Sequence, residues 1–410
     1  MKTTMKKILA ALLASAMLLS FAACSSEAEK APAETPAAPV ETPAAPAAPA
    51  ETPAVPEVKD EDVDGELILD HEAELEYAHN FSLKYYKGGY KTFTVSSDEE
   101  HEFLIVPEGK SVPADLAANM VVLQQPINKM TFNSTGMVSI MDAIDALDNI
   151  ATVGTDADGW YIPNVKSAVE SGDILYSGSY KEPDYELLMS NGVQIVIDTT
   201  MLNNNPDVIE KYNELNIPVI VEQSSKESHP LGRVEWVKLL AALAGKDEAA
   251  ETYFAEQVAK VKAVSDSEPS GKTVAMFFMS SDGATVYARN AGDYMTAMIE
   301  AAGGDYIMAD VGTDKTGNAK MNMEDFYATC GQADYIFYLS YSDLFATKEE
   351  MIAFDPIFAD FKAVQDGNVW LSSDTFTQST AAIATIIENM NTVLNDNTVA
   401  ETETLIKLGE

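Results

Sequence analysis

Short apolar runs alternate along this chain with stretches whose apolar residues recur every third or fourth position. Residues 81–85, 90–95 and 102–106 read as short strands, and Gly88-Gly89 turns the chain between the first two. The pattern then changes to strands and helices in alternation. Residues 120–124, 195–198 and 218–221 are apolar strands. Between them lie helical stretches at 137–147 (Met137, Ile140, Met141, Ile144 and Leu147 on one face), 183–190 and 206–215. The same grammar returns with strands at 274–278, 335–339 and 368–371 and helices near 292–302, 322–330, 349–362 and 378–394. Compact apolar strands separated by helices predict a parallel sheet buried on both faces. Two such runs predict an α/β chain of two Rossmann-like lobes.

Between the runs lies a helical region with few loops. His229-Pro-Leu-Gly precedes a first helix with Val234, Val237, Leu240 and Leu243 on one face, and Gly245 ends it. A second helix starts at Asp247, an acid at the positive end of the helix dipole, and carries the stripe Ala250, Phe254, Val258, Val261 to about Ser265. At 1.5 Å per residue it spans about 28 Å, enough to run the height of a domain and join one lobe to the other. The organisation expected is an N-terminal lobe over 60–229 with a β extension at 60–114, crossover helices over 230–268, and a C-terminal lobe over 269–410.

The first residues change the picture. Lys2, Lys6 and Lys7 precede an apolar run that closes at Phe21-Ala-Ala-Cys24, which reads as a secretory signal over residues 1–23. No later run approaches the ~18 apolar residues of a membrane span. Residues 24–59 are almost wholly Ala, Pro, Glu, Thr and Ser, with Glu-Thr-Pro-Ala at 41–44 and 51–54. Such a segment has nothing to bury and reads as a disordered tether reaching ~100 Å when extended. The whole chain of 410 residues carries 26 basic and 65 acidic side chains, a net charge of −39. From Cys24 onward, 23 basic residues against 65 acidic give −42. That sign opposes nucleic acid or an anionic bilayer as partner. Two cysteines and four scattered histidines supply neither a disulfide framework nor a histidine-rich metal site.

Cysteine at the first mature position resembles the lipobox of bacterial lipoproteins, which implies a lipid on Cys24 and an extracellular, membrane-tethered protein. The stretch from Ser228-His-Pro-Leu-Gly-Arg-Val-Glu-Trp through Ala249-Ala250 resembles the crossover segment of the helical-backbone substrate-binding proteins of ABC importers. Pro183 to Asp198 is similar to the N-lobe helix and strand of that family, and Tyr294 to Ile307 with Met323-Glu-Asp-Phe to the C-lobe counterpart. The resemblance covers roughly 115–395. It departs at Val193-Gln194, where the family has Pro-Asp. It implies a monomer that captures an iron–siderophore, haem or corrinoid as cargo, without catalysis. It further implies delivery to a permease dimer with its ATPase, docked through one surface glutamate per lobe, Glu186 and Glu324.

Ligands of open parallel sheets sit outside the carboxyl ends of the strands, so two such edges facing each other make a cleft. The loops expected there hold aromatics with polar neighbours: Trp160 and Tyr161, Tyr287 and Arg289, Tyr341 and Phe345, Phe376 and Gln378. Flat aromatics with an arginine suit a large, partly apolar, anionic ligand. The expected ligand contacts are Trp160, Tyr161, Tyr287, Arg289, Tyr341 and Phe376, with Trp160 and Arg289 foremost as residues at strand exits. Axial bonds to haem iron would draw on Tyr161, Met201 or His229.

Catalytic motifs are missing. Gly312 to Gly317 lacks the Lys-Ser/Thr of a phosphate loop, and no Gly-x-Ser-x-Gly or His-Glu-x-x-His occurs. Asp156-Ala-Asp-Gly fails as a calcium loop at both ends. An extracellular lipoprotein hydrolase on a similar two-lobed scaffold is the alternative reading, and a bare-metal capture protein the weaker third.

Overall fold

The computed structural model describes residues 59–60, 63–341 and 344–409. The signal segment, Cys24 and nearly all of the tether lie outside the described residues. The first element group is a five-stranded sheet of β1 (Leu69–Glu72), β2 (Phe81–Tyr86), β3 (Lys91–Val95), β4 (Asp98–Val106) and β5 (Met120–Gln124), in that spatial order. Alternation puts Phe81, Leu83, Phe93 and Phe103 inward, and Phe93 stacks on Phe103 at 4.7 Å. Gly88 has φ +79°, and a Cβ there would meet the Val63 carbonyl at 3.0 Å, so the turn needs glycine. The pattern of residues 120–124 suggests the opening strand of the alternating region. In the structure β5 instead closes this sheet as the parallel neighbour of β4.

The N-terminal lobe begins at β6 (Met130–Phe132). It continues through α1 (Thr135–Ala143), β7 (Ile150–Val153), α2 (Pro163–Ser171), β8 (Leu175–Tyr176), α3 (Tyr185–Ser190), β9 (Ile195–Asp198), α4 (Pro206–Glu214) and β10 (Val219–Val221). All five strands are parallel, in the order β10-β9-β6-β7-β8. The order reverses at β6, so the crevice expected to hold a ligand opens where β6 runs into α1.

The crossover consists of α5 (Pro230–Glu235), α6 (Val237–Ala244) and α7 (Asp247–Ser265). The first predicted helix is thus two short ones meeting at Trp236. Gly245, at φ +71°, stops α6 in the left-handed conformation. Helix α7 has the expected bounds and buries Ala250, Phe254, Gln257 and Val261.

The C-terminal lobe contains β11 (Lys272–Met279), β12 (Val286–Arg289), α8 (Tyr294–Ala301), β13 (Gly304–Tyr306), β14 (Asn318–Met321), α9 (Met323–Cys330) and β15 (Tyr335–Tyr338). It ends with α10 (Lys348–Phe354), α11 (Lys362–Gln365), β16 (Val369–Ser372), α12 (Asp374–Gln378), α13 (Ile383–Asn395) and β17 (Leu405–Lys407). Its sheet is mixed. The parallel strands β11, β15 and β16 form the centre, with antiparallel β12, β14 and β17 toward the edges and β13 beside β11. The predicted helix 349–362 breaks because Asp355, preceding Pro356, is extended at φ −142°, ψ 116°. Helix α7 packs on α5 and α6 and also on α8 and α13. One apolar core runs from Phe93 through Ile197 and Phe254 to Phe277 and Trp370.

The N-terminal sheet is fastened to the crossover by carboxylates. Glu235 accepts the main-chain N–H groups of Glu76, Tyr77 and Ala78, and Glu227 those of His79 and Asn80. Lys91 pairs with Asp247 at 2.6 Å at the start of α7.

Candidate binding cleft

The chain contains two arginines in all, Arg233 and Arg289, and both meet tyrosine hydroxyls beside the cleft. Arg233, on α5, donates from Nη2 to Thr380 Oγ1 at 3.1 Å and from Nη1 to the Tyr294 hydroxyl, with its guanidinium 4.5 Å from the Tyr294 ring centre. Arg289 donates to the Tyr341 hydroxyl at 2.8 Å and lies 4.0 Å from the buried Asp293 carboxylate. The phenol of Tyr294 is in the field of both guanidinium groups, though burial dominates and raises its pKa. The Nε of each arginine has no hydrogen-bond partner among the described residues.

Arg233, Tyr294, Tyr341, Phe376, Thr377 and Thr380 line a cavity of about 180 Å³, floored by Met295, Met298, Ile383 and Ile386. Cationic nitrogen and hydroxyl groups over an apolar floor can hold an oxyanion group attached to a greasy body. Among the described residues, Asp293 is the carboxylate paired with Arg289, and no ion pair is formed by Arg233.

The residues expected in the cleft divide three ways. Tyr341 and Phe376 are on the cavity wall, and Tyr341, 48% exposed, joins it to open solvent. Tyr161, 52% exposed, stands on the opposing N-lobe edge after β7. Arg289 is not at the carboxyl-end edge of the parallel strands. It ends β12, which returns antiparallel along β11, and it reaches the cleft only through Tyr341. Tyr287 is stacked on Phe278 at 4.7 Å with Lys320 over its ring, away from the cavity lining. Trp160 is 1% exposed and its indole N–H donates to the Thr155 carbonyl, so as placed it is core and offers a ligand no surface. His229 stacks on Tyr77 and its Nδ1 accepts from the Leu231 N–H, while burial lowers its pKa. Met201, 51% exposed, is on the turn after β9. Sequence reasoning passed over Arg233, Tyr294 and Thr380. The signal available was the rarity of arginine itself.

On the N-lobe side the carboxyl ends of β9 and β10 carry two buried acids. Asp198 accepts from Asn133 Nδ2 at 2.5 Å and from the Thr199 N–H at 2.7 Å, and burial pushes its carboxyl up to about 6. Glu222 accepts from Ser134 Oγ and the Ser224 N–H. Ser134 stands at the N-cap of α1 but gives its hydroxyl to Glu222 instead of to the helix. Cys330 is buried and its thiol is pushed up to about 12, which makes it a core residue and not a nucleophile.

Glu186 and Glu324 occupy matching places. Each is exposed in the first turn of a helix, α3 or α9, whose N-cap side chain, Asp184 or Asn322, accepts from the third helical N–H.

A family profile for periplasmic binding proteins matches residues 134–374, more than half of the chain. Uncharacterized lipoprotein MJ0878 of Methanocaldococcus jannaschii is 28% identical over 333 residues, which cover 74% of this chain and 77% of that protein. The crystal structure of a periplasmic heme binding protein from Pseudomonas aeruginosa is similar at a TM-score of 0.54 and 14% identity, covering 69% of this chain and 98% of the other. MolA of Haemophilus influenzae, bound to molybdate, is similar at a TM-score of 0.51 and 16% identity, over 66% of this chain and 87% of its own. These likenesses carry the two-lobed fold. The chain belongs to the periplasmic binding protein family, the substrate-binding proteins of ABC importers.

Proposed function

We propose that this chain captures an anionic metal chelate at the outer face of a membrane and hands it to an ABC importer permease. The carrying observation is that the chain's two arginines hold Tyr294 and Tyr341, two tyrosines that line one cavity with an apolar floor. Of the candidate cargoes, the pair favours those with carboxylate or catecholate oxygens, haem and iron–siderophores, over the largely neutral corrinoid. The chelate's apolar body would lie between Tyr161 and Tyr341, and its anionic edge would face Arg233. Among solved structures of similar fold, one is a heme binding protein and one is bound to molybdate, which supports this reading. Lipid on Cys24 anchors the protein, and the acidic tether lets it reach the permease.

Glu186 and Glu324 dock on basic residues of the permease dimer, one per lobe. Exposed carboxylates on short capped helices are presented rigidly, which suits them to set the register of a transient complex. Replacing Glu186→Arg or Glu324→Arg is expected to impair uptake in cells while leaving cargo affinity unchanged. Full uptake in both variants, or lost cargo binding, contradicts the docking assignment.

A further inference from the structure

Helix α7 is packed against α5 and α6 of the crossover and α8 and α13 of the C-terminal lobe, so a wide hinge between the lobes would have to break its buried face. The opening of the cavity at Tyr341 can then be widened only locally. The segment 374–382 is placed for this. It leaves the C-lobe sheet after β16, crosses to the N-terminal lobe and returns as α13. Phe376, Thr377, Ser379 and Thr380 of this strap form one wall of the cavity.

The strap is fastened at three places, two on the N-terminal lobe and one on crossover helix α5. Gln378 Oε1 accepts the Tyr161 N–H at 2.9 Å, while Gln378 Nε2 donates to the Gly159 carbonyl at 2.6 Å. The Ala381 N–H donates to Ser139 Oγ of α1 at 3.1 Å, and Arg233 holds Thr380. Gly136 permits this approach, since a Cβ there would lie 2.4 Å from Thr380 Oγ1. Of the three fastenings, the Gln378 pair joins the main chain of the opposing cleft edge directly. It also fixes the backbone of Tyr161, the half-exposed aromatic that faces the cleft.

We infer that residues 374–382 are a strap that opens to admit and release cargo, and that Gln378 is its catch and the positioning residue for Tyr161. The inference rests on the reading of this cleft as the cargo site. A two-point side-chain bond suits a catch, because losing it releases the Tyr161 main chain and loosens the strap at once, leaving Phe376 as the strap's apolar anchor. Gln378→Glu separates the two bonds. It keeps the acceptor for the Tyr161 N–H and loses the donor to Gly159.

The test uses the full chain in detergent, with amide hydrogen exchange resolved to Tyr161 and the strap, and with haemin as the cargo probe. In Gln378→Ala the Tyr161 amide and the strap are expected to exchange about tenfold faster while α7 stays at the wild-type rate. Haemin is expected to dissociate about tenfold faster. In Gln378→Glu the Tyr161 amide should stay close to wild type, with haemin release falling between the two. Unchanged exchange at Tyr161 in Gln378→Ala overturns the catch. Faster exchange with unchanged haemin release overturns the strap as the cargo's route. A wild-type chain that takes up no haemin counts against haem as the cargo; release is then followed with a ferric catecholate siderophore, and the exchange measurement decides the catch by itself.

Discussion

The Glu235 carboxylate accepts the Tyr77 main-chain N–H at 2.8 Å across 158 positions of sequence, tying the N-terminal sheet to the first crossover helix. Both oxygens of Glu235 are used, for Glu76, Tyr77 and Ala78, and Lys238 balances its charge at 3.0 Å. Glu227 continues the series to His79 and Asn80 and also accepts the Trp236 indole N–H at 3.0 Å. Five consecutive N–H groups, residues 76–80, thus end on two buried carboxylates. Gly232 sits beneath, where a Cβ would come within 2.8 Å of the Tyr77 carbonyl.

Removing the charge at this junction should be costly. Glu235→Gln leaves Lys238 buried with the Glu74 carbonyl but no counter-charge and withdraws one acceptor from three donors, a loss of about 3–5 kcal/mol. Urea unfolding followed by tryptophan fluorescence measures it, since Trp236 lies in the junction. A change under about 1 kcal/mol would show that the N-terminal sheet is held by its apolar contacts alone.

Asp198 gives a pH signature. Burial raises its pKa from 3.8 to about 6, so its protonated form is the one the fold favours. The stability it contributes is therefore fully present below about pH 4 and is lost as pH rises through 6, amounting to about 3 kcal/mol. Asp198→Asn, which cannot ionise, should flatten the stability profile across that window. Denaturation midpoints taken at pH 4.5 and 7.5 decide it. A variant with the wild-type pH dependence would place the titration elsewhere.

The crossover was the most legible part of the sequence. Gly245, the acids Asp247 and Glu248 and the stripe through Val261 specify α7: start and stop agree, and the buried face agrees except that Gln257 is buried where Val258 is only partly so. Strands β6 and β13 were not legible, since three residues carry no period and neither is an unbroken apolar run like Val219–Val221 of β10. The edge strand Asn318–Met321 was missed because it is polar and antiparallel in a sheet expected to be parallel. In the cleft, sequence position located the right loops but not the side-chain directions. Trp160 and Tyr161 are neighbours, yet one turns into the core toward Thr155 and the other faces solvent. Arg233 escaped notice because it lies inside a helix, whereas the topological argument points to loops.

Rigid joining by α7 has its own check. Spin labels replacing the exposed Glu186 and Glu324 on the full chain report the spacing of the lobe tips. Adding cargo should move their mean distance by no more than about 2 Å, because admission needs the strap and not a hinge. A shift many times larger would mean that α7 bends or unpacks.

Cargo capture by the arginine pair is the central claim, and equilibrium binding of a chelate panel to the full chain tests it most directly. The panel is haemin, a ferric catecholate siderophore, a ferric citrate complex and cyanocobalamin, titrated into wild type, Arg233→Ala and Arg289→Lys. The expected result is that one of the anionic iron chelates binds wild type and weakens about 10–100-fold in Arg233→Ala, with a smaller loss in Arg289→Lys, which keeps the charge but not the planar fork. Equal affinity in all three proteins, or binding of cyanocobalamin alone, would contradict it.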